Sequence, residues 1–204
     1  MKNNSAGDDF VSLRIAAIAA ILAGAAWICW AVVNGATGGG LDAGVPAIGL
    51  RLAKFGQLLT IGWNLLLIPA ALVLWKRLQN QKPNLILLYT VGGVLSLSFW
   101  TLGAAARVNS PVLEVTYLLL SSVWWLGIGF ALRVNYKVFG TFTVIVGAFA
   151  MLDAALSFFE PLPFYIYVLA APKLPLAIIW DFWLGFFLLK SFNTEPAENT
   201  SLSD

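Results

Sequence analysis

The chain has 204 residues, of which 60% are hydrophobic and 11% charged, with a mean hydropathy of +0.84 and a net charge of +2. Soluble domains carry about half apolar and a quarter charged residues, so this chain has too few charges to clothe a water-facing globule, and lipid must cover much of it. The charge is too small and too dispersed for nucleic acid, and the lack of any His excludes histidine-ligated haem, most zinc sites and an imidazole base.

Residues 1–10 form a polar tail, expected on the cytoplasmic side. Val11 to Val33 is a nearly unbroken apolar run, and a span needs about 20 such residues. A signal peptide is the rival reading, but its apolar core is typically only about 7–15 residues, so a retained first helix is expected. Ala16, Ala20 and Gly24 fall on one face of it at four-residue spacing, a small-residue packing stripe.

A Gly-rich stretch from Asn34 to Asp42 follows, then a second span from about Phe55 to Trp75 with Pro69 inside it. Lys76, Arg77 and Lys82 mark a short basic loop closed by Pro83, a good first-turn residue for the third helix, Leu85 to Ala106. Arg107 to Pro111 is a turn, and the fourth span is Val112 to Leu132. Arg133 and Lys137 flank the next loop, the fifth span is Val138 to Phe158, and Glu160-Pro-Leu-Pro163 breaks it. Phe164 to Ala171 is apolar but too short to cross, and reads as re-entrant or interfacial; a bent last helix starting at Phe164 is the alternative. The last crossing is Leu174 to Leu189, and residues 191–204 are a polar cytoplasmic tail. The expected fold is therefore all-α: a polytopic bundle of about six spans within residues 11–190, or five if the first were cleaved.

Eight basic residues fall on one side of this arrangement (Lys2, Arg14, Lys76, Arg77, Lys82, Arg133, Lys137, Lys190) and four on the other (Arg51, Lys54, Arg107, Lys173). Basic residues in short loops stay cytoplasmic, so both termini are expected inside.

Arg51-Leu-Ala-Lys-Phe55 and Leu74-Trp-Lys-Arg-Leu78 at the ends of the second span, with Leu174-Pro-Leu-Ala177 and Ile179-Trp-Asp-Phe-Trp-Leu-Gly185 in the last, resemble a loose class of bacterial six-span membrane proteins known only as domains of unknown function. Members of that class often carry Glu where this chain has Asp181, which keeps the carboxyl group. The resemblance implies a six-span fold and a bacterial inner membrane, and no activity.

An ionisable group at mid-helix in a bilayer costs roughly 2.5–3.5 kcal/mol on insertion scales, so each one needs an explanation. Asp153 lies roughly 22 Å along the fifth helix from its cytoplasmic end and Asp181 roughly 10 Å in from the outer end of the last, at 1.5 Å per residue. Arg107, Glu114 and Lys173 fall at the same outer level. These five residues are candidates for a polar, outward-facing ligand pocket; alternatively, Arg107 and Glu114 pin a hairpin and the aspartates bond to Ser, Thr or Trp groups. Asn64 in the second span reads as an interhelical hydrogen-bonding residue, and a candidate for the pocket. Trp63, Trp124, Trp125, Trp180 and Trp183 sit deep, where an indole N–H needs a partner; they pack the bundle or, with Trp180 and Trp183 beside Asp181, line a cavity for an apolar or cationic ligand.

Gly-x-Gly-Asp, P-loop and dinucleotide glycine patterns are missing, and no lysine sits in mid-helix as a retinal protein would need. No catalytic residue, metal site or cofactor is therefore assigned. Three functions are in play: binding or moving a small ligand through the pocket, a non-catalytic subunit packing on a membrane partner or a second copy, and a membrane enzyme using Asp153 and Asp181 as acid and base.

Overall fold

The computed structural model describes residues 5–36, 47–106, 111–158 and 171–192, with side chains for 12–33, 54–106, 112–158 and 171–190. The described residues form six α-helices and no strand: α1 (Ser5–Ala36), α2 (Ala47–Leu78), α3 (Pro83–Ala106), α4 (Pro111–Asn135), α5 (Lys137–Phe158) and α6 (Lys173–Phe192). The first five each hold a stretch long and apolar enough to cross a membrane. In α6, Lys173, Asp181 and Lys190 share 20 residues with an otherwise apolar sequence.

The helices differ from the sequence reading most at two starts: α1 begins at Ser5 rather than Val11, and α2 at Ala47 rather than near 55. The reading equated the helix with its apolar run; Arg51 and Lys54 end that run, but neither breaks a backbone hydrogen-bond ladder. Pro69 lies inside the continuous α2, where it removes the N–H that would bond the Leu65 carbonyl. Pro83 and Pro111 open α3 and α4, where a missing N–H costs nothing. The proposed re-entrant piece at 164–171 lies outside the described residues save for Ala171, which is in a turn leading to α6.

The helices form a closed ring in chain order, α6 packing back on α1, with α2 and α4 touching across the middle. Neighbours run antiparallel. On the α1–α6 seam Gly24 meets Phe182 and Asp181, while Gly185 meets Ile21 and Ala17; on the α4–α5 seam Gly140 lies against Arg133 and Gly147 against Leu126. The start of α1 and the end of α6 therefore share one end of the bundle, called the terminal end below.

Along α1, small residues face inward and large ones outward. Ala16, Ala17, Ala20 and Ala23 are buried, whereas Ile15, Ile18, Leu22 and Val32 are exposed. In water this would be inverted. In a bilayer, lipid tails are as apolar as Leu, so burying a Leu gains little, and close backbone approach through small residues is what helices gain by packing. Hydroxyls are absorbed locally: Thr60, Ser98, Thr101 and Thr143 each donate to the carbonyl one turn back.

The basic asymmetry gives this ring a direction. Reporter fusions after Gln79 and Asn135 are expected to read cytoplasmic, and after Gly40 and Pro161 external; an external signal after Gln79 would overturn the orientation.

Candidate functional site

In the half of the bundle away from the terminal end lies a cavity of about 170 Å³, lined from α1, α2, α3, α4 and α6. Its walls are largely aromatic: Trp27, Trp30, Trp63, Trp100, Tyr117 and Trp125. Trp27 stands edge-on to both Trp30 (4.9 Å, 79°) and Trp63 (4.7 Å, 77°), and Trp100 stacks on Tyr117 (4.6 Å, 27°). The rings therefore present differently oriented surfaces, held by contacts worth about 0.5–1.5 kcal/mol per pair beyond area burial. Three polar side chains interrupt them: Thr60, Glu114 and Lys173. A water occupies about 30 Å³ in the liquid, and an apolar cavity near 150 Å³ takes a benzene-sized guest; this space suits a compact molecule or a few waters.

The expected site residues divide into four groups: in the lining, one contact behind it, elsewhere in the bundle, and outside the described residues. Glu114 and Lys173 are in the lining. Asp153 and Asp181 stand one contact behind it: Lys173 Nζ donates to Asp153 Oδ2 in an ion pair joining α6 to α5, and Trp63 Nε1 donates to Asp181 Oδ2 at 2.8 Å, joining α2 to α6. The ion pair is partly open, its side chains 20% and 23% exposed, whereas Asp181 is fully buried. Asp181 Oδ1 has no partner among the described residues. The two aspartates thus meet different partners.

Trp180 and Trp183 are not in the lining. Trp180 is fully buried, donates to Thr143 Oγ1 at 2.9 Å, and stands edge-on to Trp124 (5.6 Å) and Trp125 (5.8 Å). Trp183 packs on Phe139 and Phe142 of α5 at 5.6 and 5.1 Å. The reason is helical phase: successive residues are about 100° apart at 3.6 per turn, so an Asp181 turned to α1 and α2 sends Trp180 toward α4 and α5.

Asn64 is also placed differently. It is fully buried, but its Nδ2 donates to Thr60 O of its own helix at 2.7 Å rather than to a neighbour, and its Oδ1 has no partner among the described residues. An amide reaches back to the carbonyl one turn earlier without any partner helix. Arg107 lies outside the described residues, so the Arg107–Glu114 hairpin pair does too.

Trp27, Trp30, Trp100, Tyr117 and Thr60 escaped the sequence reading as site residues. Trp27 and Trp30 near the end of α1 and Trp100 near the end of α3 read as ordinary interfacial aromatics. Counting residues back from each turn at the outer level would have set them beside Lys173 and Glu114.

A second cavity, of about 230 Å³, lies toward the terminal end between the ends of α2, α4 and α6, where Arg77, Asn135 and Tyr136 join Leu74, Leu132 and Phe187. Between the two cavities, Leu67, Trp124, Ile128, Trp180 and Leu184 fill the bundle, each no more than 1% exposed. No family model, curated protein or solved structure matches the chain.

Proposed function

We propose that this protein binds a compact ligand in the aromatic cavity, from the outer face of a bacterial inner membrane, the setting suggested by the class it resembles in sequence. The observation that supports this is the cavity itself: six aromatic side chains and three polar ones, from five helices, around one space. Ligand sites are concave and largely apolar, with a few polar groups that fix orientation, whereas packing alone would fill the space with side chains. Transport is the extension of this reading. A ligand in this cavity would reach the second one only if the layer around Trp124 and Trp180 opened.

The test is thermal unfolding of the whole chain in nanodiscs against compact uncharged, cationic and anionic molecules, with Ala26→Phe as the comparison. Ala26 lines the cavity, so a phenyl ring there takes up space the ligand would use. A ligand at a hundred times its Kd stabilises by about 2.7 kcal/mol. At least one molecule should therefore raise the wild-type midpoint and fail to raise that of Ala26→Phe. Equal shifts in both proteins, or no shift in either, would reject the cavity as a binding site.

A further inference from the structure

We propose that the ligand class of this cavity is a compact organic cation, a quaternary or tertiary ammonium no larger than a choline headgroup. The inference rests on the binding reading above and goes beyond it in assigning charge.

The first support is the wall. Five of the six aromatic side chains are Trp, the ring that attracts a cation most strongly, and rings set nearly at right angles surround a charge better than a parallel stack would. An ammonium with alkyl substituents loses little hydration on entering such a cage, since its charge is spread over carbon.

The second support is the charge behind the wall. Among the described residues, Glu114 and Lys173 are the charged side chains of the lining, with Asp153 one contact behind. Asp153 already pairs with the Lys173 ammonium. An anionic ligand would have to compete with Asp153 for Lys173 and would also meet Glu114. A cation meets a Lys173 already paired with Asp153.

The third is the bond between Trp63 and Asp181. An indole N–H donating to a carboxyl oxygen gives electron density to its ring, since hydrogen-bonded groups polarise one another. Trp63 is both a wall of the cavity and that donor, at 2.8 Å. The buried carboxyl group thus acts on the cavity through the ring that separates them. Asp181 is a positioning residue here, and does not touch the ligand.

The experiment compares choline with its uncharged isostere, 3,3-dimethylbutan-1-ol, by calorimetric titration of the whole chain in phosphatidylglycerol nanodiscs. Choline should bind at least tenfold more tightly, a difference of ~1.4 kcal/mol. Asp181→Asn, which keeps an oxygen for the Trp63 N–H, should weaken choline about three- to tenfold and leave the alcohol unchanged. Glu114→Gln, at an exposed position, should do the same should Asp181→Asn fail to fold. Repeating the titration in phosphatidylcholine identifies the source: loss of choline binding assigns the site to a lipid trimethylammonium, and an unchanged affinity assigns it to a free cation, both within the proposed class. Equal binding of the alcohol and choline would overturn the cation and leave the cavity reading standing. So would absence of choline binding alongside a neutral or anionic molecule that Ala26→Phe excludes. If no molecule binds, both fall.

Discussion

Replacing Gly140 with Ala is expected to lower the melting midpoint of the solubilised protein by about 2–12 °C, from ~1–3 kcal/mol of overpacking at 2–4 °C per kcal/mol. Two effects oppose each other. Within a helix, Ala is favoured over Gly by roughly 0.5–1 kcal/mol through lost backbone entropy. Against this, a Cβ at Gly140 would sit 2.4 Å from the Arg133 backbone nitrogen and 2.8 Å from its Cα. A clash with the tip of a flexible side chain is relieved by a rotamer change. This clash is with the backbone of α4, so the helices themselves must separate. The seam has no slack elsewhere: Gly129 would meet the Val144 nitrogen at 2.8 Å and Gly147 the Leu126 nitrogen at 2.8 Å. The control lies on α3, where a Cβ at Gly92 would meet nothing within 4 Å; Gly92→Ala should be neutral or stabilising by up to about 1 kcal/mol. If Gly140→Ala melts with the wild type, or both substitutions act alike, close α4–α5 approach does not hold the bundle together.

That seam shows where sequence reasoning stops. The spans were legible because crossing a bilayer is a demand on length and apolarity, which Val11 to Val33 or Val138 to Phe158 meets with no knowledge of neighbours. The Ala16, Ala20 and Gly24 stripe was legible because it repeats every four residues on one helix. Gly129, Gly140 and Gly147 make a comparable seam from two helices; Gly140 and Gly147 lie seven residues apart on one face of α5, a spacing the reading passed over, and only their pairing with α4 needed the fold.

The site divides in the same way. Asp153, Asp181, Glu114 and Lys173 stood out because charge is costly in lipid, and counting residues from the turns put them at one depth. Depth is only one coordinate. Which face each helix turns to which neighbour depends on the order of helices around the ring, and that order decides that Asp181 meets Trp63 while adjacent Trp180 meets Thr143. Trp63 and Trp125 were read as deep aromatics and do line the cavity, but the rest of the aromatic lining was missed for the opposite reason. Trp is ordinary at a membrane interface, so Trp27, Trp30 and Trp100 carried no signal until five helices brought them together.

Among single contacts, the Trp63–Asp181 bond is expected to carry the largest effect on stability, and a double-mutant cycle tests it. The bond ties α2 to α6 across the ring at 2.8 Å, and Asp181 is wholly buried with its second oxygen unpartnered among the described residues. Trp63→Phe keeps an aromatic ring but takes away the donor, leaving a buried carboxyl group without its hydrogen bond. Removing one partner of a buried polar pair costs about 1–3 kcal/mol, and up to 3–5 kcal/mol where a charge is left uncompensated. Asp181→Leu leaves only an indole N–H unsatisfied, which is the smaller penalty, near ~1–3 kcal/mol. The double substitution removes both polar groups and leaves none orphaned. It should therefore be less destabilised than the sum of the single changes by about 1–3 kcal/mol, and no worse than Trp63→Phe alone. Unfolding of the four proteins in mixed detergent micelles reads this directly. Additive losses would mean that the indole and the carboxyl group act independently, and the bond would then neither fasten α2 to α6 nor couple Asp181 to the cavity.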